Sequence, residues 1–133
     1  MKIAHISDIH CNYGTDFNEK VFEKAVTMVN KLDADIIFVS GDLTTDGLLS
    51  EYELAQEKLK EITGKLVIVP GNHDERNLGF KLFPEFFGNP SFIHTYKDLT
   101  FVGLASSEPD KDDGRLAEED IGSSRRVSGS IKK

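Results

Sequence analysis

Three short apolar runs recur in the first half of the chain: Ile3-Ala4-His5-Ile6, Ile36-Ile37-Phe38-Val39 and Leu66-Val67-Ile68-Val69. Each is too short for a helix and stops at polar residues or a turn signal, which predicts strands over 2–7, 36–40 and 65–69. The unbroken apolar stretch of the second suits a strand covered on both faces. Between the first two, Phe17, Val21, Phe22, Ala25, Met28, Val29 and Leu32 recur at helical spacing. They predict an amphipathic helix of about four turns. Asp16 and Glu19 have the spacing of a capping box at its start. Tyr52, Ala55, Leu59 and Ile62 mark a second helix, with Ser50-x-x-Glu53 as its capping box and Gly64 as its stop. The order β-α-β-α-β with short connections predicts parallel strands joined by right-handed crossovers.

Beyond Asp74 the periodicity weakens. Phe80, Leu82, Phe83, Phe86 and Phe87 are dense but interrupted by Pro84 and closed by Gly88-Asn89-Pro90, which predicts one or two short helical turns packed on the core. Phe92–Tyr96 and Thr100–Leu104 predict a hairpin turning at Lys97-Asp98-Leu99. Glu108 to Asp120 is acidic and turn-rich, with a helix start expected over Arg115 to Asp120. Residues 122–133 have no apolar periodicity and are expected to be a disordered tail. The expected organisation is a folded region over 1–121 followed by that tail.

The length of 133 residues allows one domain, or part of one. The net charge of −7 argues against a nucleic-acid-binding surface, because such surfaces are basic. A bound divalent metal would still attract a phosphate against that field. The lone cysteine, Cys11, excludes an internal disulfide and a cysteine-rich zinc site. It reads as a small loop residue. Lys2, His5 and Asp8 break any apolar signal segment, and no run is long enough to span a membrane. The expected setting is the cytoplasm.

The chemistry lies where the three strands end. Their exits carry Asp8-x-His10, Gly41-Asp42 and Gly71-Asn72-His73-Asp74. In an open parallel sheet, residues just past the carboxyl ends of the strands gather at one edge, where such folds bind ligands. Asp8, His10, Asp42, Asn72 and His73 are therefore expected to meet. Any one of these pairs is weak evidence. All three in order, each after a buried strand, point to a metal-centred phosphate site. His5, from the body of its strand, reads as a core or supporting histidine, and His94 lies mid-strand.

This ordered set resembles the calcineurin-like metallophosphoesterases, from residue 1 to about residue 120. The resemblance implies an α/β fold: a sheet with flanking helices, the first half of a four-layer α/β/β/α sandwich. It implies metal-dependent hydrolysis of phosphate mono- or diesters at a dinuclear centre. The positions of Asp8, His10 and Asp42 hold one ion there. Those of Asp42 and Asn72 hold the second, with Asp42 bridging. His73, beside Asn72, faces the phosphate as general acid or electrostatic stabiliser. Two ions about 3.5–4 Å apart clamp a phosphate and supply a hydroxide nucleophile. Mixed oxygen and nitrogen ligands suit manganese, iron or zinc. His73 needs an orienting carboxylate, and Asp74 and Asp46 are the two candidates.

The family pattern continues with a further histidine ligand and a Gly-His-x-His motif. This chain has neither, since its four histidines are at 5, 10, 73 and 94. The expectation is a truncated domain holding one weakly bound metal, impaired in hydrolysis, with missing ligands arriving from a partner or downstream segment. The alternative is a non-catalytic metal- or phosphate-binding remnant. A response-regulator-like magnesium module would use carboxylates without histidine, so His10 and Asn72-His73 count against it. Gly71 to Arg76, Gly-Asn-His-Asp-x-Arg, is similar to the cyclic-nucleotide phosphodiesterase-like branch.

Overall fold

A computed structural model describes residues 1–116 and 122. The tail expected over 122–133, Gly122 apart, and most of the helix start expected at 115–120 lie outside the described residues. The elements run β1 (Ile3–Ile6), α1 (Glu19–Leu32), β2 (Ile36–Ser40), α2 (Leu49–Leu59), β3 (Leu66–Val69), α3 (Gly79–Phe87), β4 (Phe92–Tyr96) and β5 (Leu99–Gly103). Strands β1, β2 and β3 form a parallel sheet in that order, as the β-α-β-α-β pattern predicts. Two successive right-handed crossovers stepping the same way put both helices on one face. That face carries Ala4, Ile37 and Val39, packed in one core with Phe22, Val26 and Val29 of α1 and Leu54, Ala55 and Leu59 of α2. Ile36 and Ile37 point to opposite faces, yet both are fully buried. Each such side chain contributes about 1.5–3 kcal/mol relative to exposure.

The antiparallel β4–β5 hairpin covers the other face, where Phe38 meets Phe101 with ring centroids 5.1 Å apart. Its turn is shorter than predicted, because Leu99 already pairs with Tyr96 and leaves only Lys97 and Asp98 in the loop. Tyr96 and Lys97 both bond Asp35, which fastens the turn to the amino end of β2.

Three local expectations are corrected. Asn18, not Asp16, caps α1: its side chain accepts the Val21 N–H at 3.2 Å. At α2 the returning carboxylate is Glu51, which accepts the Leu48 and Asp46 N–H groups, so the Ser50–Glu53 box is displaced by two residues. Pro84 does not interrupt the aromatic segment, which forms one nine-residue helix. Phe83 is buried to 1% exposure and the rings of Phe86 and Phe87 pack on Tyr52, and this burial offsets the missing proline N–H. The stripe of α1 is also narrower than predicted. Phe22, Val26 and Val29 are buried, whereas Val21, Met28 and Leu32 lie on an adjoining exposed face. Among the described residues no helix is long and apolar enough to cross a membrane.

Candidate metal centre

The three strands deliver their polar residues through an unusual backbone. Asp8, His10 and Asp42 all have positive φ, at 57°, 50° and 53°. Left-handed conformations are uncommon for residues other than glycine, and clusters of them mark places where surrounding contacts overrule local preference. Those contacts are visible. Asp8 N–H donates to Gly41 C=O at 3.2 Å, His10 N–H to Asp42 C=O at 2.9 Å and Cys11 N–H to Leu43 C=O at 2.7 Å. The first exit loop therefore runs beside the second, continuing the strand pairing into the site.

The second and third loops approach more closely still. A Cβ on Gly41 would lie 2.4 Å from Gly71 N, and one on Gly71 would lie 2.2 Å from Asp42 Oδ1. Both glycines are there because backbone fills the space a side chain would need. Gly71→Ala is expected to cost about 1–3 kcal/mol by overpacking and to push the Asp42 carboxylate aside. A urea midpoint equal to that of the wild type would contradict this contact.

Asp74 locks the same junction. It is fully buried, and its Oδ1 accepts the N–H and hydroxyl of Thr44, each at 2.9 Å. Its Oδ2 accepts Gly71 N–H at 2.9 Å. Burial pushes its carboxyl above the usual range, against the opposing pull of the Gly71 and Thr44 hydrogen bonds.

Donor atoms of His10, Asp42 and His73 lie within 4.8 Å of one another. Asp42 is more enclosed than Asp8, with a side chain 17% exposed against 67%. His10 Nε2 lies 3.9 Å from Asp42 and 4.0 Å from Asp8, and the His10 and His73 rings meet edge-on at 4.7 Å. Asp42 Oδ1 also accepts His73 N–H at 3.1 Å. Asn72 sits on the same loop as His73, and its amide nitrogen donates to Asp112 at 3.0 Å. The carboxylate-and-imidazole donor set fits manganese, iron or zinc.

The orienting partner of His73 is neither of the predicted carboxylates. His73 Nδ1 lies 2.7 Å from the Thr45 carbonyl oxygen. A carbonyl only accepts, so Nδ1 carries the proton and Nε2 is the free nitrogen. Asp74 is occupied in joining loops, and Asp46 lies 3.7 Å from Arg76. His5 is likewise not a core histidine: it is exposed on the hairpin side of the sheet, with Nε2 2.6 Å from Ser40 Oγ. His94 pairs with Phe101 in the hairpin, outside the cluster. Sequence reasoning missed Thr45, whose contribution is a carbonyl and so independent of residue type. It also missed Arg76 and Asp112. Arg76 was visible as the end of the Gly-Asn-His-Asp-x-Arg run, whereas Asp112 is one of several carboxylates in an acidic stretch.

Comparison with known proteins supplies the family. A family model described as calcineurin-like phosphoesterase matches residues 1–129. A probable cyclic nucleotide phosphodiesterase of Coxiella burnetii is 26% identical over 127 residues, covering 91% of this chain and 51% of the relative. A probable glycerophosphodiester phosphodiesterase of Arcobacter nitrofigilis is 29% identical over 132 residues, covering 90% of this chain and 48% of the relative. The chain thus spans about half the length of these curated relatives. Among solved structures, a purple acid phosphatase from yellow lupin seeds superposes with a TM-score of 0.69 at 17% identity, over 98% of this chain and 28% of that one. With a family match across nearly its whole length and strand-exit loops that bring His10, Asp42 and His73 together, the chain belongs to the calcineurin-like phosphoesterase family.

Proposed function

We propose that this chain carries the core of a metal-dependent phosphoesterase site acting on phosphate diesters, in which Asp8, His10 and Asp42 hold one divalent ion and Asp42 and Asn72 contribute to a second. The observation that carries the reading is the convergence of His10, Asp42 and His73 donor atoms within 4.8 Å. The relatives named as phosphodiesterases support a diester substrate. A divalent ion bound there would polarise a phosphoryl oxygen and make hydroxide available at neutral pH. The protein's own groups then divide the remaining work. Asp42 holds the loops in register through His73 N–H. The Thr45 carbonyl fixes the His73 ring through Nδ1–H, so that Nε2 is the nitrogen that faces the phosphate. In the imidazolium form, with Nδ1–H kept on Thr45, it would give its Nε2 proton to the leaving oxygen.

Three ligands for one ion and two for the other predict one weakly held metal per chain and slow hydrolysis. Three protein ligands is the usual set of a catalytic zinc site. The remaining ligands would come from a partner or a downstream segment. A cytoplasmic setting belongs to the same proposal, and the chain's single cysteine, Cys11, which offers no internal disulfide, is consistent with it. The test is a Mn(II) titration with a generic phosphodiester, on this chain alone and with any adjacent downstream reading frame. His73→Ala is expected to keep metal binding and lose turnover. Two tightly bound ions with vigorous cleavage by the chain alone would contradict the incomplete ligand set. Metal binding with no cleavage in either form would favour a non-catalytic binding role.

A further inference from the structure

We infer that Asp112 is a positioning residue that fixes the side-chain amide of Asn72 with its oxygen available to the metal, an inference that rests on the metal-site reading above. Asn72 has two nearly isosteric ends, and only the oxygen can ligate a cation. Nothing in a bare strand-exit loop selects one end over the other. Asp112 does select. Its Oδ1 lies 3.0 Å from Asn72 Nδ2, and a carboxylate accepts but does not donate. The amide must therefore turn its NH2 toward Asp112, which leaves Oδ1 on the other side of the group. Arg76 Nη2 donates to the same Asp112 oxygen at 3.3 Å, and its other terminal nitrogen reaches the Thr45 carbonyl that also holds His73. One short network thus orients both polar side chains of the third exit loop.

The segment bearing Asp112 is held by other bonds. Asp110 N–H donates to Glu75 C=O at 3.4 Å, and Asp110 Oδ1 accepts Asn77 N–H at 2.7 Å. Arg115 N–H donates to Ser106 C=O at 2.6 Å. Asp112 itself is 82% exposed in its side chain. Removing its carboxylate therefore leaves the segment docked and the core untouched, and the effect should be confined to Asn72 and its network partner Arg76. Groups that orient metal ligands from outside the ligand set usually change metal affinity 10–100-fold when removed.

The experiment compares the full chain with Asp112→Ala and Asp112→Asn by two readouts. Calorimetric titration with Mn(II) reports affinity, and the Asn72 side-chain NH2 resonances of the metal-free protein report the amide's hydrogen bond directly. Asp112→Ala is expected to weaken Mn(II) binding by about tenfold or more and to move the Asn72 NH2 signals to solvent-exposed positions. Asp112→Asn keeps an acceptor oxygen and is expected to restore both readouts. Unchanged affinity and unchanged amide signals in Asp112→Ala would overturn the inference while leaving the metal site standing. Equal losses in Asp112→Ala and Asp112→Asn would overturn it too, because charge rather than the acceptor would then be responsible. A wild-type chain that binds no Mn(II) would remove the metal reading itself, and the inference with it.

Discussion

Asp42→Ala is expected to weaken Mn(II) binding by more than about 100-fold, beyond the range seen when only an orienting group is lost. Asp42 is the acidic group common to both proposed ion positions. Its Oδ2 lies 3.9 Å from His10 Nε2, while its Oδ1 holds His73 N–H. Substitution by alanine would also leave that N–H without its acceptor, at a cost of about 1–3 kcal/mol. Asp42→Asn separates the two effects. It keeps an acceptor oxygen for His73 N–H but loses the negative charge, so it should retain most of the stability and little of the metal affinity. Asp8→Ala should be milder, because its carboxylate is mostly exposed and can be replaced by water. Calorimetry beside urea unfolding reads both quantities. An Asp42→Asn chain that binds Mn(II) as the wild type does would contradict the central role of this carboxylate.

The largest stability effect is expected at Asp74. Asp74→Ala would strand three donors, the N–H and hydroxyl of Thr44 and the N–H of Gly71, at a fully buried position. A buried unsatisfied donor costs about 1–3 kcal/mol, and partial entry of water limits the sum to about 3–5 kcal/mol. Against a total stability of about 5–15 kcal/mol, that removes a large fraction. Asp74→Asn should cost about half as much, since its oxygen still serves Thr44 while its NH2 faces the Gly71 N–H. Urea unfolding checks the pair. An Asp74→Ala variant within about 0.5 kcal/mol of the wild type, the usual range of a surface change, would mean that the loops are held by something else.

The strand-exit plan was legible because it rests on patterns the backbone obeys. Short apolar runs with helical segments between them dictate parallel strands, and in the structure their exits bring donor atoms of His10, Asp42 and His73 within 4.8 Å, with Asp8 4.0 Å from His10. The positive φ values were not legible, because nothing in Asp8-x-His10 distinguishes a left-handed aspartate from an extended one. The partner of His73 was hidden for a different reason. The expectation was a carboxylate, but the fold uses a backbone carbonyl at Thr45, which any residue there would offer. Asp74 was identified as a residue of the site with the wrong neighbour. Its sequence position beside His73 suggested contact, whereas its side chain turns back to Thr44 and Gly71. Pro84 misled because helix propensity was read without the Phe83, Phe86 and Phe87 packing that overrides it.

The claim that three strand exits form one metal-binding site is tested most directly by paramagnetic broadening with substoichiometric Mn(II). Amide signals should fade first at residues 8–10, 41–43 and 72–73. Those of Lys97 and Asp98 should persist, because that turn is fastened to Asp35 at the opposite end of β2. Uniform broadening, or broadening that spares residues 8–10 and 41–43, would contradict it.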